Sequence, residues 1–104
     1  MIVEERIYTI AAGQLPAYLE AYTAGPLDLQ KRILGNLIGY FQTDFGPLST
    51  LVHLWGYDSL DERSRRRAEL AKEPEWQAYL KLCTPLIVKM ENRLLLPTAF
   101  SPIG

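Results

Sequence analysis

The order of strand-like and helix-like segments constrains the fold of this chain more than any other feature of its sequence. The segments expected as strands read IVEERIYTI, NLIGYFQTDF, STLVHLWGY and NRLLLPTAF, because they are rich in β-branched and aromatic residues. A helical region, divided by Gly25-Pro26, follows the first strand, and a second one precedes the last strand. The resulting β-α-β-β-α-β order predicts a ferredoxin-like α+β fold with one antiparallel sheet.

The second helical region carries its own start signals. Ser59 and Glu62 have the spacing of a capping box, and Pro74 suits the first turn of another helix. A stripe at helical spacing then comprises Trp76, Tyr79, Leu80, Cys83, Ile87 and Met90. We expect the helix to bend or end at Pro85 within this stripe, because proline cannot donate a helical hydrogen bond.

The bulk properties limit the class of protein. A chain of 104 residues is the size of one domain, and 48% hydrophobic residues supply a core. The formal net charge of -1 argues against nucleic-acid binding, which needs a basic excess. His53 and Cys83 are the only histidine and cysteine, so neither a nitrogen-sulfur metal site nor an intramolecular disulfide is expected. No cofactor is expected either.

The beginning of the chain and its apolar runs bear on location. The start MIVEERIYTI lacks the basic and apolar regions of a secretory signal, and no apolar run has the length of a membrane span. We therefore expect a soluble cytoplasmic protein that does not bind a membrane.

Both faces of the two middle strands carry large apolar residues. One parity holds Leu37, Phe41, Val52 and Leu54, and the other holds Ile38, Tyr40, Trp55 and Tyr57. A sheet that is covered on one side only should alternate apolar with polar residues. Two apolar faces predict that the second is buried too, most simply by another copy of the chain in a homodimer.

His53 is the centre of the candidate site. Residues two apart on a strand share a face, so the candidate lining of a cavity between sheet and helices is Arg6, Tyr8, Tyr40, His53, Trp55 and Tyr57. In an enzyme, His53 would be an acid or base and Arg6 would hold an anion. A one-residue slip or a bulge would change which residues face the cavity.

Each candidate also has a plain structural interpretation. His53 can be a hydrogen-bonded core residue, and Cys83 on an apolar stripe typically behaves as a small buried hydrophobe. Trp76, Tyr79 and Leu80 favour helix-to-sheet packing, although they could roof a cavity. The basic run DERSRRRAELAKE pairs its arginines with acids at helical spacing, which is typical of a solvated helix face.

Three stretches of the chain resemble the NIPSNAP family. They are GYF at Gly39 to Phe41, VHLWGYDSLDER at Val52 to Arg63 and ENRLLLPT at Glu91 to Thr98, and the likeness covers nearly the whole chain. The resemblance implies one NIPSNAP-like domain over residues 1–104 and a dimeric α/β barrel in which two sheets face each other. The wider superfamily includes cofactor-independent monooxygenases, haem-degrading enzymes and isomerases, but the family offers no established catalytic motif.

Two functions of different classes remain open from the sequence. The first is a homodimer that binds or transforms a small, partly apolar metabolite, without a metal, between sheet and helices. The second is an interaction or scaffold protein whose aromatic cluster is plain core. An open cavity beside His53 would favour the first, and close packing without voids would favour the second.

Overall fold

The computed structural model describes all 104 residues and has four strands and four helices. Its elements are β1 (Ile2–Ile10), α1 (Leu15–Thr23), α2 (Pro26–Leu34), β2 (Asn36–Gln42), β3 (Thr50–Tyr57), α3 (Leu60–Ala71), α4 (Pro74–Cys83), a 3-10 turn (Thr84–Leu86) and β4 (Ile87–Leu95). The strands form one antiparallel sheet in the order β2-β3-β1-β4. This confirms the predicted ferredoxin-like α+β fold, in which each helical region contains two helices. None of the helices combines the length and the apolar character of a membrane-spanning segment.

The helix starts follow local chemistry. Ser59 Oγ accepts a hydrogen bond from the backbone N–H of Glu62 over 3.1 Å, and the Glu62 carboxylate accepts one from the N–H of Asp58 over 3.1 Å. The capping box therefore forms at α3, but the Glu62 carboxylate accepts from the N–H of Asp58 instead of from the N–H of Ser59. Pro26 and Pro74 occupy the first helical positions of α2 and α4, where a missing N–H costs little.

The last strand begins earlier than the sequence pattern predicted. Ile87 and Met90, expected on the helical stripe, lie in β4, because α4 ends at Cys83 and the turn through Pro85 reverses the chain. β4 pairs with β1 along most of its length. The backbone hydrogen bonds between β1 and β4 favour a strand here. The helical spacing of apolar residues beyond Pro85 is therefore a coincidence.

A β-bulge at Ile38 corrects the predicted faces of β2. Leu37 lies opposite Trp55, but Gly39 lies opposite Leu54, so one residue of β2 is left over between them. Leu37 therefore packs against the core, and Ile38 lies with Leu54 on the other face of the sheet. The prediction placed these two residues the other way round, since it assumed unbroken alternation.

The core lies between the sheet and the helices. In β3, Leu51, His53, Trp55 and Tyr57 are buried beneath the helices, whereas Val52 and Leu54 on the other face are partly exposed. That second face, here called the open face, has no helix over it. Its apolar residues include Ile7, Ile38, Phe41, Val52 and Leu54. Phe41 is 58% exposed, whereas the other end of the open face borders the segment that follows β4. The open face is therefore apolar and only partly covered in the single chain.

Candidate functional site

A cavity of about 60 Å³ lies between the sheet and the helices. Its lining comes from every strand and from α1, α2, α4 and the turn after α4, and comprises Tyr8, Tyr18, Tyr22, Gln30, Tyr40, His53, Trp76, Tyr79, Leu80, Cys83, Thr84, Ile87 and Met90. Five of these residues are tyrosines, and none is an aspartate or a glutamate. The cavity is therefore aromatic, with several hydroxyls and no carboxylate.

The structure divides the predicted site residues into three groups. Tyr8, Tyr40 and His53 line the cavity. Arg6 and Trp55 do not line the cavity, but each donates a hydrogen bond to a residue that does. Tyr57 is buried at the Ile2 end of the sheet, away from the lining.

The prediction missed Tyr18, Tyr22 and Gln30 as lining residues. They lie on α1 and α2, and all three are buried. The helical spacing of Tyr18 and Tyr22 gave a usable signal, since it placed both on the inward face of α1. Gln30 had no such signal. Trp76, Tyr79 and Leu80, expected as packing or a roof, do line the cavity from α4.

The ring of His53 is oriented by its neighbour Trp55. The indole Nε1–H of Trp55 donates a hydrogen bond to Nδ1 of His53 over 2.7 Å. An indole nitrogen can only donate, so Nδ1 carries a lone pair and the single proton of the neutral ring lies on Nε2. Nε2 is buried and has no hydrogen-bond partner within the chain. His53 therefore lines the cavity and carries a buried N–H donor that the chain leaves unused.

The electrostatic surroundings keep His53 neutral. Burial lowers its pKa to about 3, and the positive charges of Arg6 and Arg67 act in the same direction. This pKa lies well below the neutral range in which an imidazole can serve as both acid and base. With Nδ1 engaged by Trp55 and a proton on Nε2, the ring is suited to donating a hydrogen bond rather than to abstracting a proton.

Tyr40 and Tyr8 hold the His53 ring on two sides. Tyr40 stacks on it with 4.3 Å between centroids and 17° between planes, as cross-strand neighbours can. Tyr8 meets it edge-on at 4.9 Å. This packing fixes the direction of the Nε2–H bond.

The hydroxyls around the cavity stay protonated. Burial raises the pKa of Tyr18, Tyr22, Tyr40 and Tyr79 above the usual range. Tyr22 donates to the side-chain carbonyl of Gln30, and the hydroxyl of Tyr79 has no partner. The cavity wall consequently offers uncharged donors at physiological pH.

A chain of polar contacts leads from Tyr8 to the surface. Arg6 Nε donates to the Tyr8 hydroxyl over 2.8 Å, and Arg6 Nη1 donates to Glu4 Oε2 over 3.2 Å. Glu4, which is 4% exposed, also accepts from Arg63 at 2.6 Å and from Asn92 at 3.0 Å. These bonds lower the pKa of the Glu4 carboxyl although burial opposes them. Arg6 is thus held as a cation behind Tyr8.

The basic run on α3 is only partly a solvated face. Arg66 pairs with Glu62 over 2.8 Å, as its spacing predicted. Arg63 instead turns to the sheet and binds Glu4, and Arg67 is half-buried with an unpartnered Nη1. The pattern could not reveal this, because it showed acids at helical spacing but not the buried acid of β1.

The cavity has a mouth between the end of α4 and β4. Leu80, Thr84 and Met90 line it and are exposed to solvent. A molecule could therefore reach the cavity without unfolding of the core. No group of three or more His, Cys, Asp or Glu side chains is placed to hold a metal ion.

Comparison with known proteins places this geometry in a family. The NIPSNAP family model matches residues 3–102. The NipSnap homolog of Dictyostelium discoideum is 33% identical over 94 residues, which is 90% of this chain and 41% of that protein. The chain thus spans less than half the length of such relatives.

Solved structures agree with this assignment. A NIPSNAP family protein from Agrobacterium tumefaciens is 52% identical, superposes with a TM-score of 0.96, and covers 99% of this chain and 98% of its own. A structure described as an antibiotic biosynthesis monooxygenase is 13% identical with a TM-score of 0.63, over 97% of this chain and 100% of its own. This last likeness concerns the fold alone.

Proposed function

The chain belongs to the NIPSNAP family, and we propose that it binds a small, partly apolar molecule in the tyrosine-lined cavity, anchored by the Nε2–H of His53. The observation that carries the proposal is a buried donor without a partner, on a residue that lines a cavity open to solvent. An unsatisfied buried N–H is costly, on the order of 1–3 kcal/mol, and a ligand acceptor would remove that cost. Ligand sites are typically apolar pockets with a few such polar groups.

The size of the cavity limits how a ligand can fit. About 60 Å³ accommodates a polar head such as a carbonyl group, but not a whole aromatic molecule. The apolar body of the ligand would then lie in the mouth, against the exposed side chains of Leu80 and Met90. We infer a ligand with a carbonyl-type acceptor at one end and a flat apolar body.

Two variants separate the donor from general packing. His53→Asn keeps an acceptor oxygen near the position of Nδ1 for Trp55, but places no donor where Nε2 stood. Tyr57→Phe is the matched control, because it removes a buried hydroxyl that does not line the cavity.

The test is a binding screen by ligand-observed NMR with small aryl ketones and aldehydes. Acetophenone and α-methylstyrene form a matched pair of nearly equal shape, and only the first has an acceptor. We expect acetophenone to bind wild type and Tyr57→Phe, and to bind His53→Asn at least about tenfold more weakly, in line with the loss of one buried hydrogen bond. Absence of carbonyl ligands from the screen, or equal binding to His53→Asn, would contradict the proposal.

The small cavity also favours a second candidate, in which the protein is a scaffold. Its aromatic side chains contact one another closely, for example Tyr22 with Tyr79 at 5.8 Å and Trp76 with Tyr79 at 5.1 Å between centroids. A cluster of this kind can be ordinary core packing. A well-folded protein that binds none of the screened compounds would support this candidate, and partner proteins would then be sought with the intact chain.

We also propose that the protein is a homodimer joined through the open face. No helix covers its apolar residues in β1, β2 and β3, and a partly exposed apolar sheet face of this kind usually marks an interface. The Glu5–Arg93 ion pair, 2.6 Å, lies at one side of the same face and would form a polar rim. In such a dimer, the open faces of two copies would pack against each other about a two-fold axis, and each would cover the apolar residues of the other.

A further inference from the structure

A second donor residue, Tyr8, lines the cavity beside His53. Tyr8 and His53 both line it, and their rings are in edge contact at 4.9 Å. The His53 proton lies on Nε2, because Nδ1 accepts the hydrogen bond from Trp55. The Tyr8 hydroxyl accepts from the guanidinium of Arg6 over 2.8 Å, so its own proton is free to be donated. A hydroxyl that accepts from a cation becomes a stronger donor in turn.

The charges around these donors favour a negative partner. Arg6, Arg63 and Arg67 approach the buried side of the sheet, and Glu4 is the one carboxylate among them. That carboxylate is already bound by Arg6, Arg63 and Asn92, and it does not line the cavity. Of the acceptors in the lining, the side-chain carbonyl of Gln30 is taken by Tyr22. The polar end of the cavity therefore has donors and a cationic background, but no anion of its own.

From this arrangement we propose that the site prefers a single-oxygen oxyanion, that is, a phenolate or an enolate, bound by the Nε2–H of His53 and the O–H of Tyr8. Arg6 acts as a positioning residue, since it orients the Tyr8 hydroxyl and supplies positive charge without lining the cavity. The inference rests on the proposed function and names the chemical class of its ligand. Preorganised donors of this kind stabilise negative charge best where water is excluded.

A flat carbon skeleton fits the rest of the site better than a phosphate does. The remaining lining is aromatic or aliphatic, and Tyr40 stacks on the His53 ring beside the donors. A phosphate would bring three strongly hydrated oxygens to two donors. A phenolate or enolate brings one oxygen and an apolar body that the mouth can take.

The probe for this inference is 4-nitrophenol, which ionises near neutral pH and changes colour when it does. If the site binds the phenolate about tenfold or more tightly than the neutral phenol, the pKa of the bound probe lies at least about one unit below that of the free probe. The measurement is a photometric titration of the probe with protein in excess. Benzoate serves as the carboxylate comparison, and acetophenone as the neutral one.

Two variants test the separate roles. Tyr8→Phe and Arg6→Gln should each lose most of the shift in the ionisation of the bound probe. Arg6→Gln should change acetophenone binding by less than about twofold, because Arg6 does not touch the ligand. Tyr57→Phe should leave both quantities unchanged. A purely structural role of Arg6 would weaken both ligands equally and leave the ionisation of the remaining bound probe as in wild type.

The outcomes separate this inference from the proposed function. Binding of acetophenone together with unshifted ionisation of bound 4-nitrophenol would overturn the oxyanion preference alone. Benzoate that binds as tightly as the nitrophenolate would also overturn it, since it would show a site for carboxylates. Failure of every probe to bind the folded protein would overturn both proposals.

Discussion

Trp55 donates its indole N–H to Nδ1 of His53 over 2.7 Å, and this single bond decides which nitrogen of the histidine carries the proton. The two residues lie two apart on β3, on the face that the helices cover. Because Trp55 can only donate, the histidine is left with its other nitrogen as a donor. The chemistry proposed for the cavity follows from this relationship.

Acid should destabilise the protein through His53. The unfolded chain binds a proton on this histidine near its ordinary pKa of about 6.5, whereas burial lowers the folded-state pKa to about 3. Between those values the unfolded state holds more protons, so stability falls as pH falls. We expect the free energy of unfolding to drop by about 2 kcal/mol from pH 7 to pH 5, at about 1.4 kcal/mol per pH unit below 6.5. Urea unfolding at a series of pH values measures this change in the free energy of unfolding.

The control for that prediction is His53→Asn. Glu4, whose folded-state pKa is lowered from 4.5, loses its stabilising contribution only as pH falls below about that value. Above pH 5, the pH dependence of the free energy of unfolding therefore reports on His53 and not on Glu4. A variant that loses stability over this range as steeply as wild type would show that another group is responsible.

The buried carboxylate of Glu4 should matter far more than a surface one. Glu4→Gln removes the charge that binds Arg6, Arg63 and Asn92 and leaves the guanidinium groups partly unpaired. We expect a loss of about 3 kcal/mol in the free energy of unfolding. Glu69→Gln, which changes an exposed carboxylate on α3 away from the open face, should have no measurable effect. Equal effects of the two substitutions would contradict this account of the cluster.

The open face should be sensitive to charge. Val52 lies on β3, one of the two central strands, with its side chain on the face that no helix covers. If this face joins two copies, Val52→Lys buries a charge in the interface and should shift the dimer to monomer, because an unpaired buried charge costs several kcal/mol. Ala68→Lys on the exposed surface of α3 is the control. Light scattering after gel filtration gives the mass; a wild-type monomer, or a Val52→Lys dimer of unchanged stability, would contradict the proposal.

The cap of α3 offers a test of local sequence reasoning. Ser59→Ala removes the side-chain oxygen that accepts from the Glu62 N–H, and should lower the free energy of unfolding by about 1 kcal/mol. Ser64→Ala, in the exposed middle of the same helix, should be neutral or slightly stabilising, because alanine is the better helix former. Thermal unfolding of both variants measures the difference. A Ser59→Ala variant as stable as the Ser64→Ala one would show that the cap contributes nothing.

The sequence predicted those features that depend on local chemistry or on strand parity. The element order, the Ser59 cap and the shared face of His53 and Trp55 all follow from patterns within a few residues. The bulge at Ile38 did not, because nothing in NLIGYF marks where an extra residue is inserted. The start of β4 at Ile87 depends on pairing with β1, which is a contact distant in sequence.

The candidate site shows the same division. The strand pattern brought Tyr8, Tyr40 and His53 to one surface. It could not give the hydrogen bond that fixes the His53 tautomer, since ring orientation depends on packing against Tyr40 and Tyr8. It also could not place Gln30, whose contact with Tyr22 depends on how α2 packs beside α1.

The most direct test of the account is the protonation state of His53, which is the only histidine and gives one unambiguous set of imidazole signals. Nitrogen-15 NMR, with long-range correlation to the ring protons, distinguishes a protonated from an unprotonated ring nitrogen. We predict an unprotonated Nδ1 and a protonated Nε2 that persist from pH 8 to pH 5, because the folded-state pKa is about 3, with the Nε2–H resonance shifting when acetophenone is added. Trp55→Phe should weaken the preference of the ring proton for Nε2 over Nδ1. A ring that titrates near its ordinary pKa, or that carries its proton on Nδ1, would contradict the account.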